Sequence, residues 1–104
     1  MGMNRIVNDL LNVMQNEYAH MALIHGKTFN TYHEAIGVML EEIEESNDEL
    51  AIFEHNRQKC WNAIKCNENP TEHLEYMQDA ALRAAAELIQ VAACCYKAQK
   101  KNSI

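Results

Sequence analysis

The sequence predicts an all-α fold: three long helices per chain forming a four-helix-bundle-like core that dimerisation completes. Three observations predict it. Only one Pro and three Gly interrupt 104 residues, 48% of which are hydrophobic. Punctuation this sparse suits long helices better than many short strands. Apolar residues recur every three or four positions, and start or stop signals stand where that rhythm breaks. The length is one domain's worth, so residues 1–104 are expected to form a single domain.

The first helix is expected over residues 4–24, with Ile6, Leu10, Val13, Met14, Glu17 and Met21 on its inward stripe and Gly26 as its stop. A loop, 27–30, follows. Thr31-Tyr-His-Glu34 fits a capping box, in which the Thr oxygen accepts from the backbone and the Glu reaches back. Ile36, Leu40, Ile43, Asn47 and Leu50 then mark the expected inward stripe of helix two; the helical pattern extends to Phe53, Trp61 and Ile64, and whether it is continuous or broken at Ser46-Asn47 the sequence leaves open. Gly37, costly inside a helix by about 1 kcal/mol, points to close helix approach. Asn69 and Pro70 suit the cap and first position of helix three, expected from 70 to about 97. Between Ala80 and Tyr96 only Arg83, Glu87 and Gln90 are polar, and they share one stripe. A helix this apolar needs covering on most sides, hence the expectation of a homodimer or homotetramer.

Charge narrows the function classes. The formal net charge of −6 argues against a general nucleic-acid binder, which needs basic surface to displace counterions. No apolar run is long enough to cross a bilayer, so no membrane association is expected and the cytoplasm is the default location. Lys97, Lys100 and Lys101 form a small basic tail. The spacing of Cys60, Cys66, Cys94 and Cys95 makes no zinc knuckle, and reduced, structural thiols are the simpler reading. There is no Ser-His-Asp arrangement suggestive of a nucleophile and no glycine-rich phosphate loop.

The informative cluster is acidic. Glu41, Glu42, Glu44, Glu45, Asp48 and Glu49 crowd into nine residues, while no Lys or Arg stands between Lys27 and Arg57. At 100° per residue, Glu42, Glu45 and Glu49 fall on one side of helix two. A run of Glu is usually a solvated face, which is the simpler account of Glu41, Glu44 and Asp48. It fits Glu87 less well, because Ala84, Ala86, Leu88 and Val91 surround it and an isolated buried carboxylate is expensive. If helices two and three fold back around residues 67–69, Glu49 lies opposite Glu87 and Glu45 opposite Val91. A structural ion pair with Arg83 is the rival explanation for Glu87. All-oxygen donors without clustered His or Cys suit a hard cation, Mg²⁺ or Mn²⁺, which commonly completes its shell on substrate phosphates.

The stretch from His25 to Glu45, carrying Glu41-Glu42-Ile-Glu-Glu45, and the later Ala86-Glu-Leu-Ile-Gln-Val-Ala-Ala93 resemble the MazG-like all-α NTP pyrophosphatase superfamily, especially its short phage-type and prophage-type members. The likeness covers roughly residues 17–50 and 80–98. It implies Mg²⁺-dependent hydrolysis of NTPs or dNTPs to monophosphate and pyrophosphate, as nucleotide-pool housekeeping. Glu41, Glu42 and Glu45 match the family's E-E-x-x-E, and Glu87 matches the Glu of its E-x-x-D. Gln90 stands where the pattern has Asp, and the gap between Glu45 and Glu87 is longer than usual. The resemblance implies metal ligation by Glu42, Glu45 and Glu87 with Gln90 and Glu49. It further implies Glu41 as proton acceptor from water, and Arg83 and Lys97 as phosphate contacts.

Two rivals stand beside it. A degenerate member would bind nucleotide or a partner protein without turnover, and Gln90 is its main support. Glu17-Tyr-Ala-His20 is an E-x-x-H, the pair that di-iron four-helix bundles use twice, although no second copy stands in this chain.

Overall fold

A helix survives where its ends are capped and its interior has no breaker, and those conditions hold over most of this chain. The structure, a computed structural model, describes residues 2–100; Lys101 of the expected basic tail lies outside them. Three helices follow one another, α1 (Gly2–His25), α2 (Tyr32–Lys65) and α3 (Thr71–Ala98), with no strand among the described residues. Gly26 ends α1 at φ 89°, a conformation that costs a Cβ-bearing residue, with its N–H on the Ala22 carbonyl at 3.1 Å. The Glu34 N–H donates to Thr31 Oγ1 at 3.1 Å, which is the Thr half of the capping box. The Glu34 carboxylate instead accepts from Asn30 Nδ2 at 3.5 Å.

Helix α2 runs unbroken through Ser46-Asn47 for 34 residues. It closes in a Schellman turn. Asn67 takes the left-handed φ of 57°, the Asn67 N–H meets the Ile64 carbonyl at 3.1 Å and the Glu68 N–H the Ala63 carbonyl at 2.8 Å. Asn69 then caps α3, its Oδ1 accepting from the Thr71 N–H at 3.0 Å.

By internal packing the chain divides into two compact units, residues 1–43 with 88–104, and residues 44–87. In the first, Phe29, Ala35 and Cys94 form the buried core, with Met21, Val38, Met39 and Ala98 packed against it. Phe29 comes from the loop between α1 and α2. Tyr18 joins α1 to α3 by an edge-to-face contact with Tyr96, ring centroids 5.0 Å apart, and its hydroxyl donates to the Lys27 carbonyl at 2.8 Å.

The second unit is an antiparallel hairpin. Ser46, Glu49, Phe53, Asn56, Cys60 and Ala63 on α2, and His73, Met77, Ala80, Ala84 and Glu87 on α3, are its buried and half-buried positions. Both sets alternate steps of three and four residues, the spacing that keeps one seam of a helix against its neighbour. Small and polar side chains predominate there. Asn56 is satisfied within its own helix, Nδ2 donating to the Ile52 carbonyl at 2.9 Å.

This seam corrects the expected inward stripe of α2. Ile36, Leu40, Ile43 and Leu50 are 54%, 53%, 38% and 49% exposed. The physical reason is size: Ala, Ser and Cys let the helices approach, and the bulky residues remain outside a single chain. Leu82 and Leu88 of α3 are likewise exposed, so α3 is not covered on most sides within one chain. In α1, Met14 is buried, whereas Ile6, Leu10 and Val13 are exposed. Gly37 is not a close-approach residue, since a Cβ there would meet nothing within 4 Å.

Candidate metal centre

Residues three apart on a helix lie side by side, so Glu42 and Glu45 present their carboxylates together. Across the hairpin of the second unit, α3 brings Glu87 to the level of Glu45. One carboxylate oxygen from each of Glu42, Glu45 and Glu87 lies within 4.8 Å of the other two. Glu42 and Glu87 are half-buried and Glu45 is exposed, so the cluster opens to solvent on one side.

The register differs from the expected one by one helical turn. Arg83 Nε lies 2.7 Å from Glu49 Oε2, and Glu87 meets Glu45, where the expected pairing set Glu49 against Glu87. The pairs Glu45/Glu87 and Glu49/Arg83 put the pivot of the hairpin near residue 66, at the Schellman turn that ends α2, and not at 67–69.

This shift distributes the expected site residues differently. Glu49 is engaged by Arg83, a pair whose side chains are 22% and 52% exposed, and does not join the three-carboxylate group. Arg83 is thereby held one turn from Glu87, on the same stripe of α3. Gln90 turns to the first helix, its Nε2 donating to Glu17 Oε1 at 2.7 Å. Glu41 is exposed and outside the cluster. Lys97 is 3% exposed, and its ammonium sits 4.3 Å from the centre of the Phe29 ring. Among the described residues, neither Glu17 nor His20 belongs to a group of three or more side chains able to share a metal.

The donor set fits a hard divalent cation. Oxygens around six-coordinate Mg²⁺ lie about 2.1 Å from the metal, hence about 3 Å apart when adjacent and about 4.2 Å apart when opposite. Glutamate side chains already within 4.8 Å reach those separations by small torsional changes. Three carboxylates with no soft donor among them favour Mg²⁺ or Mn²⁺ over zinc.

In the first unit, Met21, His25, Phe29, Glu34, Val38 and Lys97 line a cavity of about 340 Å³. Its walls are mainly apolar, with two cation-forming side chains and one carboxylate at fixed points. Val38 stands one turn before Glu42 on α2. Little in the order of residues announces this cavity. Its signal was Phe29, a lone aromatic in an otherwise polar connection, where an apolar ring has no reason to be unless something covers it. Cys94 lies beneath, and burial first, then the Glu42 charge, pushes its thiol above the usual range.

No helix among the described residues is long and apolar enough to cross a membrane. Compared with known proteins, the chain matches no family model, no curated protein and no solved structure.

Proposed function

We propose that the chain is a Mg²⁺-dependent nucleoside triphosphate pyrophosphohydrolase, converting an NTP or dNTP to monophosphate and pyrophosphate in the nucleotide pool of the cytoplasm. The observation that carries the reading is the convergence of Glu42, Glu45 and Glu87 within 4.8 Å from two helices. The resemblance of residues 25–45 and 86–93 to the MazG-like superfamily supports the same chemistry, and the activity is carried by a homodimer or homotetramer.

Glu42, Glu45 and Glu87 would hold Mg²⁺, or Mn²⁺ in its place. The bound cation would offset the charge that develops on the triphosphate oxygens and lower the pKa of an attacking water. The protein's own part is placement. The three carboxylates fix where the phosphates can lie. Arg83, held by Glu49 one turn from Glu87, keeps a guanidinium beside that edge for a phosphate oxygen. Glu41 faces solvent, so as proton acceptor it would take the proton at the open side of the cluster. The cavity beside Phe29 is of a size for a nucleoside, with apolar walls for its ring and Glu34 and His25 for its polar edge. Gln90, bonded to Glu17, steadies α3 against α1 next to the ligands and brings them no charge.

The test is pyrophosphate release from a panel of NTPs and dNTPs, with and without Mg²⁺, for wild type and Glu87→Gln. Wild type is expected to be active only with metal, and the variant to lose at least about a hundredfold, the scale of a lost transition-state charge contact. Equal rates in both would remove Glu87 from the chemistry. Nucleotide binding without turnover in wild type would select the non-catalytic alternative, which the Gln90–Glu17 bond favours because it engages the side chain standing where the family has a ligand Asp.

A further inference from the structure

Sulfur gathers in the first unit. Met21 of α1 and Met39 of α2 pack against the core that holds Cys94 of α3, and Cys95 is the next residue along α3. Each of the three helices thus brings a thioether or a thiol to one small region. Methionine commonly fills irregular gaps in apolar cores, and that accounts for Met21. Met39 does something more. Cys95 Sγ donates to Met39 Sδ at 3.7 Å, joining α3 to α2. Cys95 is exposed and Met39 half-buried, so the pair lies at the surface of the unit and not within its core. An exposed thiol draws little from apolar cover, so packing alone gives no reason for a thioether sulfur to turn towards it.

The donors decide what could join them. Thiolate and thioether are soft ligands, which select Cu(I) over the hard cations that suit carboxylates. With metal–sulfur bonds of about 2.3 Å, two sulfurs on one trigonal or tetrahedral ion stand about 3.8–4.0 Å apart. The 3.7 Å between Cys95 and Met39 is close to that separation before any ion is added. Zinc would ask for four donors. Among the described residues, Cys95 belongs to no group of three or more His, Cys, Asp or Glu side chains able to share an ion. Cu(I) is satisfied by two or three sulfurs, and the exposed side of Cys95 leaves room for a further ligand from solvent. Of the adjacent thiols, Cys94 is the poorer donor. Its burial first, then the Glu42 charge, pushes its titration up, whereas a metal ligand must lose its proton.

We propose that Cys95 and Met39 form a binding site for Cu(I). The Cys95 thiol releases its proton to solvent, its sulfur bonds the ion, and the Met39 thioether adds a second bond, with no change of oxidation state. The thioether is what makes the position a site. Cys66, exposed in the turn after α2 in the second unit, is the thiol to compare with it. The proposal does not depend on the carboxylate centre or on any nucleotide chemistry.

The full chain, reduced and kept free of oxygen, is titrated with Cu(I) in competition with bicinchoninate. One Cu(I) per chain is expected to leave the chelator, releasing one proton per ion. Cys95→Ser is expected to weaken binding about a hundredfold and the volume-conserving Met39→Leu about tenfold, the range over which changes around a metal act. Cys66→Ser is expected to bind as wild type does. No withdrawal of Cu(I) by wild type would overturn the proposal. So would a Met39→Leu variant that binds as tightly as wild type, since the thiol alone would then hold the ion. Equal losses in Cys95→Ser and Cys66→Ser would assign the copper to both exposed thiols and overturn it as well. Should Met39→Leu lose its helical circular dichroism, copper-edge X-ray absorption of selenomethionine-labelled, copper-loaded protein decides. A selenium atom bonded to copper supports the site, and its absence overturns it.

Discussion

Cys94 and Glu87 are both helix-interior residues with helical neighbours, yet burial treats them differently. The Cys94 thiol is buried, and its titration is pushed up first by that burial and then by the Glu42 charge. A group whose folded pKa is raised adds stability that is whole below its unfolded value and fades as pH climbs through the folded one. The unfolded thiol titrates near the reference of 9.0, so stability is expected to decline above that pH in wild type and to decline less in Cys94→Ala. Urea midpoints measured on either side of that pH check it. Cys66 and Cys95 are exposed, whereas Cys60 and Cys94 are buried, so two thiols should react quickly with an aromatic disulfide reagent and two only on unfolding. The acids Glu42, Glu45 and Glu87 were legible in the sequence because helical spacing and one carboxylate set in an apolar run singled them out. The fates of Glu49 and Gln90 were not. Each depends on which side chain lies opposite, and one turn of register changes that partner completely.

Among the elements, α2 shows best where pattern reading succeeds and where it fails. Its caps and its direction follow from local chemistry, which is written in order along the chain, whereas its continuity through Ser46-Asn47, where the sequence left room for a break, came only with the structure. Its packing face does not follow. Hydrophobicity selects Ile36, Leu40, Ile43 and Leu50, whereas the chain itself packs the smaller Ala35, Ser46, Cys60 and Ala63. Size sets how near two helices come, and a hydropathy pattern does not record it. Gly37 follows from the same error. With open space around its Cβ position and a helical backbone, Gly37→Ala is expected to stabilise the protein by about 1 kcal/mol, read as a rise in the denaturant midpoint. At Asn67, held at φ 57°, Gly should be tolerated while Ala should cost about 1 kcal/mol, so the order of the two variants in thermal melts tests the turn.

For the molecule as a whole, the metal proposal has a consequence that needs no substrate. A cation that binds only the folded chain stabilises it by mass action, about 2.7 kcal/mol when present at a hundred times its dissociation constant. Mg²⁺ is therefore expected to raise the melting temperature of wild type, and to leave Glu45→Gln, which lacks one of the three carboxylates, close to its metal-free value. Equal shifts in the two proteins would place the cation elsewhere.

The bend at residues 66–70 has a further effect. Opposite Glu45 stands Glu87, and one rung along, opposite Glu49, stands Arg83. Sliding α3 by a single turn would bring the guanidinium level with Glu45 and quench the very acidity that a cation would need. The left-handed kink at Asn67 and the two amide bonds behind it oppose the slide, so a few residues of connecting backbone act as the stop that keeps this hairpin from neutralising itself.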